Sequence, residues 1–312
     1  FKLDKNHRCH PSIINYSNYL LNPKTELIST EQNLIFFSRV EGNEQAIANW
    51  LDQKIKVIQG AFKIEKRNQI AILTRTTRTG EIINSELKEP HKLSVSNELD
   101  TNLNVWSSIF SNLLHFGYDK NFKFIDVIEV FTSYDNFNNS DLGKLKTAKE
   151  KIESIFSAIV LNNEELTTEF INIAKIIAPH SKSQESIDLL KSVLANPIEL
   201  KSYEPANENE VNILTLHKSK GLEYDFVFHL DLYEWVFPNK QPGKNNDFKN
   251  PIYGDWKQDL NLHYVGITRA RKGCWLVSST QRTNNDGATK NGKDSEFIWK
   301  DNIENLRFEK QK

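Results

Sequence analysis

Apolar positions along this chain change their period twice. Residues 12–21 carry Ile13, Ile14, Tyr16, Leu20 and Leu21 at helical spacing, with Ser12 placed as a cap. Residues 33–40 (NLIFFSRV) predict a strand. Residues 44–59 return to a helical pattern through Ala46, Ile47, Trp50, Leu51, Ile55 and Ile58, and residues 69–75 (QIAILTR) form a short apolar run of the buried-strand kind. Strand, helix and strand at this spacing predict a parallel α/β layer. From about residue 99 to 200 the pattern is helical throughout, with helices predicted over 144–161, 164–177 and 185–194 and Asn- and Ser-rich loops such as 134–140 between them. Strand patterns return at 211–216, 226–232 and 274–278. The simplest organisation is an α/β domain, residues 1–98 and 205–312, interrupted by an all-helical insertion over 99–204.

Composition narrows the class. Apolar residues make up 38% and charged residues 26%, which excludes a disordered chain, and no apolar run reaches the length of a membrane helix. The start, FKLDKNHRCH, has no apolar signal core and no Met, so a piece of a longer, cytoplasmic protein is expected. Two cysteines, Cys9 and Cys274, supply neither a disulfide framework nor a metal spacing, which fits a reduced compartment. With 40 basic and 41 acidic residues, any nucleic-acid binding must come from a local groove, since the net charge is −1.

Four segments carry candidate chemistry. Residues 211–238, VNILTLHKSKGLEYDFVFHLDLYEWVFP, join a strand to a polar turn holding Thr215, His217, Lys220, Gly221 and Glu223. Gly221 suits backbone conformations that other residues resist, and polar groups after a strand of an α/β sheet lie where such folds bind ligands. On spacing alone, scattered lysines in a turn more often mark a solvated surface. In the second segment, YVGITRARK at 264–272, small and apolar neighbours flank Arg269. A fixed arginine there could neutralise charge on a transferring phosphoryl group, whereas Arg271 and Lys272 read as solvated. The third segment, LDKNHRCHPSIINYSN at 3–18, combines Asn6, His7 and Arg8 with a helix start, to which Pro11 and Ser12 are suited. The fourth, IAILTRTTRT at 70–79, places Arg75, Thr76 and Arg78 after a strand; they suit DNA phosphates and equally a plain polar loop.

Read together and in order, these segments resemble motifs V, VI, IV and IVa of the UvrD/PcrA/Rep helicases of superfamily 1, and the resemblance covers both α/β parts. It implies a second RecA-like (P-loop NTPase-like) domain, called 2A in that family, with an inserted 2B-like helical subdomain. By the same resemblance Arg8 and Arg269 would sense the γ-phosphate of ATP, Glu223 would bond the ribose, and His7 would stack on adenine where the family has Tyr. Asn6, Lys220 and Gly221 would belong to the same nucleotide site. Thr215 and His217 would contact single-stranded DNA, with Arg75, Thr76 and Arg78 on phosphates. ATP and Mg²⁺ would be held mainly by an N-terminal RecA-like domain of the same polypeptide, and DNA strands and their junctions with duplex would be the substrate, tracked 3′ to 5′. No metal site of the chain's own, no membrane partner, and no activity in the isolated half are expected.

The phosphate-loop pattern is nearly met by GATKNGKD at 287–294, but Asp294 replaces the hydroxyl that would hold Mg²⁺, so the segment reads as a mobile loop and the domain lacks its own phosphate loop. Two other function classes stay open on sequence. One is a non-hydrolysing module that binds DNA or a partner; the other is the motor subunit of a nuclease-containing repair or defence complex.

Overall fold

The structure is a computed structural model that describes residues 9–94, 97–120, 122–133, 136–219, 222–284 and 287–308. The chain divides into two compact units, Phe1–Ser94 with Ala206–Lys312, and Val95–Pro205.

In the first unit, α1 (Pro11–Leu21) leads to β1 (Ile35–Val40), α2 (Glu44–Ala61), β2 (Ile70–Thr74), α3 (Thr77–Glu86) and β3 (His91–Ser94). Pro11 opens α1, where a missing N–H costs nothing. The cap is His10, whose Nδ1 accepts from the Ser12 amide. Ser12, expected to cap, is buried within the helix and accepts the Leu34 amide instead.

The second unit is helical among the described residues: α4 (Glu98–Thr101), α5 (Val105–Tyr118), α6 (Phe124–Glu129), α7 (Asn139–Ser157), α8 (Asn163–Ile177), α9 (Gln184–Ala195) and α10 (Pro197–Lys201). Its core centres on Trp106, Phe110 and Phe170, all fully buried.

The chain then returns to the first unit with β4 (Val211–Thr215), β5 (Tyr224–His229), a hairpin of β6 (Lys240–Gly243) and β7 (Asp247–Tyr253), α11 (Trp256–Thr268), β8 (Ala270–Ser279) and a second hairpin of β9 (Gln281–Thr283) and β10 (Thr289–Asn291).

Six strands form one parallel sheet in the order β1-β8-β5-β2-β4-β3. All five residues of β2 are buried because the sheet is covered on both faces. Ala71 and Leu73 pack with α1 and α11 through Ile13, Tyr16, Leu260 and Ile267. Ile70 and Ile72 pack on the opposite face with Leu51, Ile55 and Ile83 of α2 and α3. The segment 287–294, expected to be a mobile loop, is half built into the second hairpin. Asp294 accepts from the Ser278 hydroxyl and pairs with Arg39, so its carboxylate locks the hairpin to the sheet.

Candidate functional site: two opposite edges of one sheet

Because every strand of the sheet is parallel, its two edges are chemically distinct, and the candidate residues divide between them. The polar turn that the sequence presents as one cluster leaves the C-terminal end of β4 at Thr215 and must reach the N-terminal end of β5 at Tyr224. It therefore crosses the full height of the sheet. Leu216 and Ser219 are buried along the way. Thr215 and His217 thus lie at one edge and Glu223 at the other.

At the N-terminal edge, Arg269 ends α11 and β8 begins at the next residue. Its Nε donates to the Val265 carbonyl at 3.2 Å and its Nη1 to the Leu222 carbonyl at 3.0 Å. Its own carbonyl accepts the Tyr224 amide at 2.9 Å. Arg269 therefore brackets Glu223, and both residues are half-buried. Two carbonyl oxygens orient the guanidinium, so hydrogen bonds add to the packing expected from sequence in fixing this arginine. Cys9 and His10 reach the same corner, where the Cys9 thiol donates to the Thr268 carbonyl and the His10 amide to the Arg271 carbonyl. Asn6, His7, Arg8, Lys220 and Gly221 lie outside the described residues. Arg271 and Lys272, expected to be solvated, both grip Asp225, at 2.7 and 2.9 Å. They clamp the start of β8 to β5.

At the C-terminal edge, Thr215 closes β4 and its hydroxyl accepts the Lys218 amide at 3.3 Å. His217 is exposed. Partial loss of water around its ring, and then the Arg75 charge, hold its pKa below the ordinary histidine value against the opposing pull of Asp259. Thr76 caps α3 through its hydroxyl on the Thr79 amide. Arg78 follows in the first turn, with its guanidinium near Gly287 of the second hairpin.

Two carboxylates that the sequence reading missed organise this edge. Asp231 is buried and accepts the amides of Arg75 and Thr76 and the hydroxyl of Thr79. Burial still pushes its pKa up to about 6. Asp259 of α11 takes the Arg75 guanidinium at 3.2 Å and the Asn239 amide at 2.7 Å. Arg75 is thereby a braced residue, with side-chain exposure of 23%, lying over the ring of Phe237. The only sequence signal for Asp231 was a carboxylate near the end of an otherwise apolar strand pattern, while Arg75, the partner of Asp259, is far away in the chain.

One helix joins the edges. α11 carries Asp259 near its start and meets Arg269 at its end. At its middle the fully buried His263 hydrogen-bonds to His229 of β5 at 3.0 Å. Since His229 Nδ1 sits against the Leu230 carbonyl at 3.1 Å, it must donate, and His229 Nε2 must accept from His263 Nδ1–H.

Among the described residues no helix is long and apolar enough to cross a membrane, and no group of three His, Cys, Asp or Glu side chains could hold a metal ion. Residues 93–281 match the UvrD-like helicase C-terminal domain family. The chain is 24% identical over 344 residues to a probable DNA helicase II homolog of Mycoplasma genitalium, an alignment covering 91% of the chain and 46% of that protein. It is 28% identical over 150 residues to the ATP-dependent DNA helicase PcrA of Bacillus subtilis, covering 46% of the chain and 19% of PcrA. It is 31% identical over 177 residues to the ATP-dependent DNA helicase Rep of Buchnera aphidicola, covering 56% of the chain and 24% of Rep. The chain thus spans about half the length of the relatives it matches across most of its own length. With a match over more than half its residues, a parallel α/β sheet and a helical insertion, the chain belongs to the UvrD-like helicase C-terminal domain family.

Proposed function

We propose that this chain is the C-terminal motor half of an ATP-dependent DNA helicase or translocase that moves 3′ to 5′ along single-stranded DNA, with Val95–Pro205 as a 2B-like insertion. The observation that carries the reading is the split of the site between opposite sheet edges joined by α11. In α/β sheets a domain's own nucleotide sits beyond the C-terminal strand ends. Here the fixed arginine stands at the N-terminal edge, which suits a domain that completes a nucleotide site built by another domain. Arg269 is pre-oriented by two carbonyls, the geometry expected of a residue that neutralises charge on a phosphoryl group, and Glu223 beside it offers an acceptor for a ribose hydroxyl. Arg8 would be the second such arginine, with Asn6, His7, Lys220 and Gly221 completing the nucleotide contacts. ATP with Mg²⁺, held mainly by the N-terminal RecA-like domain of the same polypeptide, would supply the free energy.

At the other edge Thr215, His217, Thr76 and Arg78 would contact the DNA strand, with Arg75 held ready by Asp259. Closing and opening of the cleft between the two RecA-like domains would bias the strand's position, a ligand-driven population shift. A rigid α11 gives a physical route by which Arg269 and the strand contacts respond to the same motion.

The test is single-strand-stimulated ATP hydrolysis by the full-length protein and by its Arg269→Ala variant. Strong stimulation with a loss of at least about a hundredfold in the variant is expected, in the range of arginine fingers. A folded parent that binds DNA without hydrolysis would instead make this a binding module. Equal turnover in parent and variant would remove Arg269 from the role.

A further inference from the structure

The hairpin β6–β7 is not needed to complete the sheet, yet it is anchored to the same edge as the strand contacts. Its first residue follows Asn239, whose amide donates to Asp259, the carboxylate that braces Arg75. The Gly254 amide returns to the Asn239 carbonyl, closing the hairpin's base at that point. On the hairpin, Phe248 is 65% exposed and Ile252 56% exposed. The Phe248 ring meets the indole of Trp235 at 5.7 Å, tilted by 48°.

Trp235 is held in an unusual state. Its φ is +74°, in the left-handed region that a bulky side chain ordinarily avoids. The surrounding turn enforces it, with the Glu234 amide on the Lys293 carbonyl and the Val236 amide on the Tyr233 carbonyl. Its indole N–H has no hydrogen-bond partner among the described residues. Lys244 and Lys249 on the same hairpin are exposed and have no carboxylate partner among the described residues. Lys240 by contrast is buried on Glu234 and Glu296 and serves the hairpin's own structure.

An exposed aromatic ring, Phe248, backed by the half-buried Trp235 and beside unpaired cations, is a combination that binds unpaired nucleobases by stacking. We propose that Trp235 and Phe248 form a base-stacking platform for single-stranded nucleic acid, with Lys244 and Lys249 on the adjoining phosphates. The inference rests on the single-strand reading above and adds a site outside the residues assigned there. Stacking does not depend on base identity, so the platform grips any sequence, as a translocating protein requires.

The experiment measures equilibrium binding of the full-length protein to a labelled oligo-dT and to an abasic oligonucleotide of equal length, by fluorescence anisotropy. Phe248→Ala should weaken oligo-dT binding about 5- to 150-fold, the stacking free energy of one base converted to affinity, and leave abasic binding unchanged. Phe248→Tyr should restore oligo-dT binding. Since Phe248 is exposed, the Ala variant should keep the parent's circular dichroism, and the Tyr variant guards against a local collapse. An equal loss on both oligonucleotides, or no loss on either, overturns the platform while leaving the single-strand reading in place. No binding to either oligonucleotide by the parent overturns both. A Phe248→Ala variant that binds oligo-dT normally but loses self-association in sedimentation assigns the face to a contact between protein molecules instead.

Discussion

Asp259 shows how much of the candidate site depends on groups that never need to touch a ligand. Its carboxylate is 6% exposed and takes both the Arg75 guanidinium and the Asn239 amide. Arg75 Nε is already buried without a partner, so the bridge to Asp259 is what offsets the burial of its charge. Removing one member of a fully buried pair costs about 3–5 kcal/mol. Arg75 keeps partial access to water, so Asp259→Ala should cost less, about 2–3 kcal/mol, read as a lower urea midpoint at unchanged slope. Single-strand binding should weaken as well, because Arg75 and the start of the first hairpin lose their common anchor. An unchanged midpoint would mean that the bridge adds nothing. None of this was legible in sequence. Asp259 sits in a polar stretch, KQDLN, and its partner lies 184 residues away. The sequence singled out Arg269 by its small and apolar neighbours together with the motif resemblance, and the carbonyls that orient it were not foreseen.

Elements were readable where their surroundings were uniform. β2 and β4 stood out because both sheet faces are covered and nearly every side chain is apolar. β3 was missed because HKLS is a half-buried edge strand without alternation, and the first hairpin because KQPGKNNDFKNPIY reads as turn residues throughout. The most unusual feature of α11, the pair His229 and His263, needs two elements at once. Burial lowers the His229 pKa to about 4 from an ordinary 6.5 and holds His263 well below its ordinary value. Each folded ring binds its proton more weakly than the unfolded chain does. The stability from the pair is therefore fully present above about pH 6.5 and is lost as pH falls toward 4. Asp231 acts in the opposite sense. Its folded pKa is raised by burial to about 6 from 3.8, so protonation between those values adds stability. Two histidines outweigh one carboxyl, so the urea midpoint should fall between pH 7 and pH 5. The double variant His229→Leu/His263→Leu should flatten that fall by more than half. If its midpoint drops with pH as steeply as the parent's, the pair is not the source.

At the scale of the whole molecule, the division into two units with separate cores has a consequence for folding. Every apolar residue of the helical core lies within Val95–Pro205, and that core is closed by its own polar bonds. The Trp106 indole donates to the Ala178 carbonyl at 2.8 Å, Ser107 and Ser186 share a hydrogen bond at 2.8 Å, and Tyr203 donates to Asp100 at 2.8 Å. A segment whose buried donors and apolar faces are satisfied internally has what an independent domain needs. The remaining sheet is equally self-sufficient, since Ser94 and Ala206 flank strands that pair directly, β3 with β4. Residues 95–205 expressed alone should therefore give helical circular dichroism and one cooperative melt, with a stability of about 5–15 kcal/mol at most, as for small domains. The rest of the chain, closed by a flexible linker between Ser94 and Ala206, should melt cooperatively too. That linker must span the height of the sheet, because Ser94 ends a strand and Ala206 precedes the start of its neighbour. Dye binding and a broad, non-cooperative melt for either piece would show that each unit needs the other. Two sharp transitions would mean that the insertion can be removed without unmaking the two-edged sheet, so that any contribution it makes to the proposed activity can be measured separately from that of the sheet.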